Sequence, residues 1–206
     1  METVTISANL DEIVKRLPTE KLAKRVMSRA INRGLTAGRV QAAREVAKDY
    51  TVRQRQVNEK TRIRKAAPSN LEATLTFSGP ALNVADFKVS PSKPQPAKRR
   101  VLRVSVSKQR GPKPAKRPIL RVTVSKSSGP RQFKGAFLIP VRAGKYRAFR
   151  RKGKERLPIQ NVWGPSIPSL IGAERVRNAV QDRMQEVIFT RLDHEINREL
   201  SKGAGR

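Results

Sequence analysis

The sequence predicts an α+β fold in which long N- and C-terminal helices pack on a small, mostly antiparallel sheet, from which a basic β-ribbon projects. Three patterns support this prediction. Apolar residues recur at helical spacing over 19–49 and 171–200, they alternate with polar residues over 71–77, and 96–126 contains a duplicated basic segment. The 206 residues suffice for one domain with a core and an appendage.

The predicted organisation is a single domain with one insertion. Residues 1–89 supply the N-terminal helices and the first strands, and residues 90–131 form the duplicated basic ribbon, an extended arm outside the core. Residues 132–206 supply the remaining strands, a proline-rich motif and the C-terminal helix.

The N-terminal part begins with a short strand or arm at Thr3–Ile6, followed by a small helix that Pro18 ends. A long helix is predicted from the N-cap candidate Thr19 to Asp49, and a second short helix over 52–60. Two glycines in the long helix either kink it or allow close helix packing; these are Gly34 and Gly38.

Strands are predicted at 71–77 and 84–89, and again at 135–139. The last of these pairs with 146–150 as a hairpin across Ala143-Gly144. The final helix is predicted from about Ile171 to Leu200.

The charge is large and unevenly distributed. Lys and Arg number 46 against 16 Asp and Glu, a net charge of +30. Between Lys88 and Arg156 there are 23 Lys and Arg residues and one acid, Glu155, so +22 lies in a third of the chain. Such a balance implies polyanionic partners or a dense assembly that supplies counter-charges.

The basic ribbon consists of two similar copies, residues 96–108 and 114–126, each closed by Gly-Pro. On a strand, Leu102, Val104 and Val106 would lie on one face and Arg103 on the other. Aromatic residues are absent from 88–132, which disfavours base stacking and favours contact with backbone phosphates. Docking on an acidic protein surface is an equally good alternative.

Arginines are the strongest candidates for polyanion contact, because guanidinium groups bind phosphate and carboxylate in a forked geometry. Those expected to bind directly are Arg103, Arg121, Arg150 and Arg151. Residues expected to add less directional attraction are Lys98, Arg99, Arg100, Lys116, Arg117 and Lys152.

Several function classes are disfavoured. There is no cysteine, and the single histidine, His194, is read as an ordinary polar-face or subunit-contact residue. No catalytic residues, metal site or cofactor are predicted, and we expect no enzymatic activity. We expect no signal peptide, and the charge-free stretches 73–85 and 157–173 are too short and too rich in Pro and Gly to span a membrane.

A proline-rich motif precedes the last helix and resembles the phage minor tail protein Z family, the tail completion proteins. Its residues are Arg156, Leu157, Pro158 and Ile159, followed by Trp163, Gly164, Pro165, Ser166, Ile167 and Pro168. Two further stretches resemble the same family. One is residues 29–33 together with 43–50, and the other is residues 134–137. The resemblance covers about residues 20–90 and 130–190, and the ribbon departs from the family pattern, in which a shorter connection is expected. By itself, the motif predicts a rigid extended segment that Trp163 and Ile167 anchor to a core or to a partner.

The resemblance implies a structural role in tail completion or neck assembly at the head-proximal end of a virion tail, after assembly in the host cytoplasm. The implied partners are the tail terminator, the tail tube, the connector and further copies of the chain in a homo-oligomeric ring. DNA, bound without sequence specificity, is a further candidate partner, and no membrane is expected. Two rival classes remain open: a basic nucleic-acid-binding protein outside the virion, of ribosomal or DNA-packaging type, and a nuclease or lytic enzyme.

Overall fold

The computed structural model describes residues 2–6, 17–94, 119–141, 144–153, 155 and 157–204. Its internal contacts divide the chain into two compact units. One unit comprises residues 1–82 with 165–206, called here the helical unit, and the other comprises residues 83–164, called the basic unit. The small helix predicted before Pro18 lies outside the described residues.

Two long antiparallel helices dominate the helical unit. Helix α1 (Glu20–Asp49) confirms the predicted long helix, α2 (Gln54–Glu59) confirms the short one, and α3 (Ile167–Ile171) leads into α4 (Glu174–Ala204). The first apolar stripe of α1 packs against the C-terminal half of α4 in a core that contains Val26, Met27, Ala30, Ile188, Leu192 and Ile196.

A three-stranded antiparallel sheet completes this unit. Its central strand is β3 (Ala73–Phe77), flanked by β1 (Glu2–Ile6) and β2 (Thr61–Arg64). Ala73, Leu75 and Phe77 are fully buried, as the alternation over 71–77 predicts. Strand β2 was not predicted, because its alternating Arg62 and Arg64 leave only one strongly apolar residue, Ile63.

The C-terminal helix begins later than predicted. Residues 167–171 form the separate helix α3, whose first turn is capped by Ser169 N donating to Ser166 Oγ at 3.3 Å. A short break at Gly172 and Ala173 then separates α3 from α4.

The basic unit contains two three-stranded antiparallel sheets. One has the order β5 (Lys88–Ser90), β6 (Leu120–Thr123), β7 (Arg131–Phe133). The other has the order β10 (Ile159–Asn161), β9 (Tyr146–Arg151), β8 (Ala136–Pro140), which confirms the predicted hairpin. Two further short strands, β4 (Ala81–Asn83) and β11 (Trp163–Ser166), form a two-stranded sheet.

The strand predicted at 84–89 is only partly correct. Residues 84–86 form a 3-10 turn, and the strand begins at Lys88. The turn is favoured locally because Ala85 N donates to Asn83 Oδ1 at 3.0 Å and Asn83 N donates to Asp86 Oδ2 at 3.1 Å.

Of the two copies of the basic repeat, the structure describes only part of the second. The first copy, with Val104, and the start of the second lie in 95–118, outside the described residues. Within the rest of the second copy, residues 120–123 form β6, in which Leu120 and Val122 are buried. This part of the predicted arm is therefore a core strand of its own sheet, because its apolar face is covered.

Candidate polyanion-binding surface

The β5–β6–β7 sheet has one basic, hydroxylated face. By strand register, Arg121 lies opposite Ser90 and Gln132, and Thr123 lies opposite Lys88, so all five side chains share this face. The alternate residues of β6 are buried on the other face. The predicted separation of apolar and basic residues in the second copy of the repeat is confirmed for residues 120–123.

Two predicted polyanion-binding residues, Arg150 and Arg151, lie on opposite faces of β9. Arg150 is exposed and shares its face with Ala148, its neighbour two residues earlier. Arg151 lies on the opposite face, where its guanidinium group is 5.5 Å from the centroid of the Phe137 ring and donates to the Glu155 carbonyl at 3.2 Å. Arg151 is therefore partly engaged by the protein itself, whereas Arg150 and the exposed Lys152 face solvent.

Seven residues of the predicted sites lie outside the part of the chain that the structure describes. Those outside the described residues are Lys98, Arg99, Arg100, Arg103, Lys116, Arg117 and Arg156. The structure thus brings Arg121, Arg150, Arg151 and Lys152 into one compact unit, and their relation to the first copy of the repeat stays a prediction.

The charge of the basic unit is scarcely compensated from within. Residues 83–164 hold 23 Lys and Arg residues and two acids, a net charge of +21. Asp86 already accepts the Asn83 N–H inside the 3-10 turn. Among the described residues of this unit, Arg121, Arg147 and Arg150 have no acidic partner.

A buried amide holds the strand that carries Arg150. Asn83 is 3% exposed; its Nδ2 donates to the Ala148 carbonyl at 3.2 Å, and Ala148 N donates to its Oδ1 at 2.8 Å. The Asn83 side chain thus takes the place of a strand acceptor for the Ala148 N–H, while the Ala148 carbonyl also accepts from Val162 N at 3.0 Å. This role of Asn83 was not predicted, since a single Asn before a Val gives no sequence signal of such pairing.

The proline-rich motif has an exposed first half and a buried end. Leu157 and Trp163 are 65% and 53% exposed, and Ile159 lies in β10. A Cβ at Gly164 would stand 2.8 Å from Phe87 Cε2, so a side chain there has no room. Pro165 and Ser166 continue strand β11, and Ile167 and Pro168 are buried in α3. Of the two predicted anchors, Ile167 therefore enters a core, whereas Trp163 does not.

The described residues contain no group of three His, Asp or Glu side chains arranged to hold a metal ion. His194 is exposed on α4. No helix within the described part of the chain has the length and apolar character needed to cross a membrane.

Comparison with known proteins gives one match. The family model described as prophage minor tail protein Z matches residues 8–203. No curated protein and no solved structure shows significant similarity.

Proposed function

We propose that this chain, which belongs to the prophage minor tail protein Z family and is therefore a structural protein of a phage tail, completes the tail at its head-proximal end. It does so as a homo-oligomeric ring that contacts neighbouring rings such as the tail terminator, the tail tube or the connector. Its basic unit, residues 83–164, faces a polyanion in the assembled particle.

The segregation of charge between the two units carries this proposal. In the helical unit, seven acidic side chains form ion pairs with Lys or Arg, among them Glu45, Asp49, Glu195 and Glu199. The basic unit has only two acids for its 23 cations. Bulk salt screens only beyond about 8–10 Å, so cations this dense are stabilised by a partner that brings negative charge among them.

Two partners satisfy this requirement. DNA entering the tail offers a phosphate backbone, which Arg121 and Arg150 would contact without reading base edges. An acidic surface on a neighbouring ring offers carboxylates, which guanidinium groups bind in the same forked geometry.

The decisive experiment reverses charge in the basic unit within the producing phage. Arg103→Glu combined with Arg121→Glu is expected to block the formation of tails that can join heads, measured as infectious particles and by electron microscopy. The matched control is Lys21→Glu combined with Arg177→Glu, which makes the same change in charge at the helical unit and is expected to assemble normally. Normal assembly with both Arg103 and Arg121 reversed would contradict the polyanion contact.

Purified protein distinguishes the two partners. If DNA is the partner, binding to unrelated duplexes is equally tight, and its logarithm falls with the logarithm of salt concentration with a slope of about −0.9 per phosphate neutralised. If a protein ring is the partner, duplex DNA binds weakly while the charge reversal still blocks assembly. Tight, salt-sensitive binding by a monomer, without any effect on tails, would favour a nucleic-acid-binding role outside the virion.

The ring is tested separately by counting copies of the chain at the tail end in a particle reconstruction. Several symmetry-related copies are expected. A single copy in an intact particle would contradict the ring and leave the polyanion contact to be judged by the charge reversal.

A further inference from the structure

A shallow groove runs between α1 and α4 in the helical unit, and none of its lining residues belongs to the proposed polyanion contact. It encloses about 540 Å³ and is lined by four arginines, Arg33, Arg44, Arg183 and Arg191. The one acid that lines it, Glu186, is paired with Arg183 at 2.7 Å. No ion pair joins Arg33, Arg44 or Arg191 to an acid among the described residues; Arg33 and Arg191 also border the space beside Glu195, which pairs with Arg29.

Besides its charged residues, the groove has three apolar lining residues and three uncharged polar ones, Thr36, Gln41 and Thr190. Ala37, Val40 and Val187 line it, and Val40 is 44% exposed. Because the helices run antiparallel, Arg33 and Arg191 lie towards one end and Arg44 and Arg183 towards the other. Eleven positions separate Arg33 from Arg44, about 16 Å along a helix axis.

From this pattern we infer that the groove binds an acidic amphipathic helix of another tail protein. An apolar stripe on that helix covers Val40 and Val187, and acidic residues about eleven positions apart reach the arginines at the two ends. A nucleic-acid backbone would match the arginines but would leave the apolar lining residues Ala37, Val40 and Val187 without a partner. The fit is thus better for a helix that is charged only at its ends.

The occupant is a different chain because neither long helix of this protein has the required charge. Helix α1 holds eight basic and three acidic residues, and the described helix α4 holds six of each. The inference depends on the family's tail role for the source of the partner, and on neither the ring nor the DNA contact. It can therefore fail while the proposed function stands.

The test uses the full chain and synthetic peptides. The first peptide is a fluorescent helix of about 18 residues, with pairs of glutamates about eleven positions apart and leucines and alanines between them. The second has the same composition, with the glutamates central and the leucines at the ends. Both carry the same charge, so non-specific attraction to the cationic chain is equal, and the difference in anisotropy titrations reports the groove.

The first peptide is expected to bind about tenfold more tightly than the second. Arg44→Glu and Val40→Asp are each expected to weaken its binding about tenfold and to bring the two peptides to similar affinity. The matched controls are Lys21→Glu, an exposed cation on the same helix, and Phe189→Asp, whose side chain is 66% exposed on α4; neither residue lines the groove. Both controls are expected to preserve the difference between the peptides.

Three outcomes would overturn the inference. The two peptides could bind wild-type protein equally, or both groove variants could retain the preference, with folding verified by circular dichroism. In the third outcome, Val40→Asp and Arg44→Glu weaken the binding of a short DNA duplex and leave the binding of the peptide unchanged. That result would identify the groove as a nucleic-acid contact.

Discussion

At the scale of single residues, two asparagine amides perform the same structural task at different places. Asn83 exchanges two hydrogen bonds with the backbone of Ala148, and Asn32 does the same with Ala66, at 2.9 Å and 2.8 Å. An amide can do this because it presents a donor and an acceptor side by side, as a backbone peptide does. Asn32 thereby satisfies Ala66, which lies outside any strand, and Asn83 satisfies the Ala148 N–H at the edge of the β9 pairing.

Asn83 provides the sharper prediction because it is buried. Asn83→Ala removes the acceptor of the buried Ala148 N–H, whereas the Ala148 carbonyl keeps its bond from Val162 N, and the change is expected to cost about 2 kcal/mol of unfolding free energy. Asn83→Asp is expected to cost more at neutral pH, since a carboxylate accepts from Ala148 N but meets the Ala148 carbonyl with no proton to donate. Urea denaturation gives the energies, and hydrogen exchange at Ala148 locates the effect; the exposed Asn178→Ala serves as the control. Wild-type stability in both variants would contradict this role.

The carboxylate of Glu199 makes the stability of the protein depend on pH. Burial raises its pKa, but the hydrogen bonds and charges of Lys202 and Arg29 outweigh burial and hold the pKa below its ordinary value of 4.5. A carboxyl group whose pKa is lower in the folded than in the unfolded protein stabilises the fold at pH values above its unfolded-state pKa. This stabilisation is lost as the pH falls through its folded-state pKa.

Glu199→Gln is therefore expected to lower Tm at neutral pH and to reduce the fall in Tm on acidification from about pH 5 to pH 3. Thermal melts across that range measure both effects. Glu72→Gln, at an exposed position whose side chain forms no ion pair in the described structure, is the matched control and should follow the wild type. An unchanged pH dependence in Glu199→Gln would refute the linkage.

At the scale of elements, the contact between α1 and α4 depends on two glycines. A Cβ at Gly34 would overlap Ile188 Cγ1 and stand 3.0 Å from the Met184 carbonyl oxygen, and a Cβ at Gly38 would overlap Met184 Cγ and Sδ. Ion pairs join the same helices nearer their ends: Arg29 with Glu195 and Glu199, and Arg175 with Glu45 and Asp49. Of the two alternatives that the sequence left open, close packing is the one that the structure supports.

These contacts predict a difference between two identical substitutions. Gly34→Ala is expected to destabilise the protein by about 2 kcal/mol despite the better helix propensity of alanine, because backbone and a branched side chain must move. Gly38→Ala is expected to cost less, since the flexible Met184 side chain can adjust. Urea denaturation compares the two, with the exposed Gln185→Ala as the control. A larger cost at Gly38 would show that Met184 is held more rigidly than its chemistry suggests.

The predicted elements failed where side chains competed with the backbone. Residues 84–89 alternate like a strand, yet the Asn83 and Asp86 side chains bond nearby backbone N–H groups and favour a turn. Strand β2 was missed because its own residues give little indication of a strand. Its pairing with β3 supplies the stability that its own composition lacks.

At the scale of the whole molecule, the dominant quantity is a net charge of +30, most of which lies in the basic unit. Self-repulsion of this kind lowers the stability of the compact state and is reduced by salt. We expect Tm to rise when NaCl increases from about 0.05 M to 0.5 M, by about 2–4 °C for each kcal/mol of relieved repulsion.

The combined variant Arg121→Gln and Arg150→Gln is expected to show a higher Tm at low salt and a smaller rise. Differential scanning calorimetry measures both. Lys21→Gln combined with Arg177→Gln removes the same charge from the helical unit and should retain more of the rise. If wild-type Tm falls with salt, the ion pairs of the helix contact outweigh the repulsion.

The sequence by itself determined the α+β class, the long helices, the β8–β9 hairpin, the family and the location of the charge. These follow from local periodicity, composition and a short motif, each of which is a property of neighbouring residues. Only the tertiary structure decided that residues 120–123 form a core strand, that Arg150 and Arg151 diverge, and that Arg33, Arg44 and Arg191 meet at one groove. The physical reason is that burial, strand register and the approach of two helices depend on residues far apart in the chain, which no local pattern specifies.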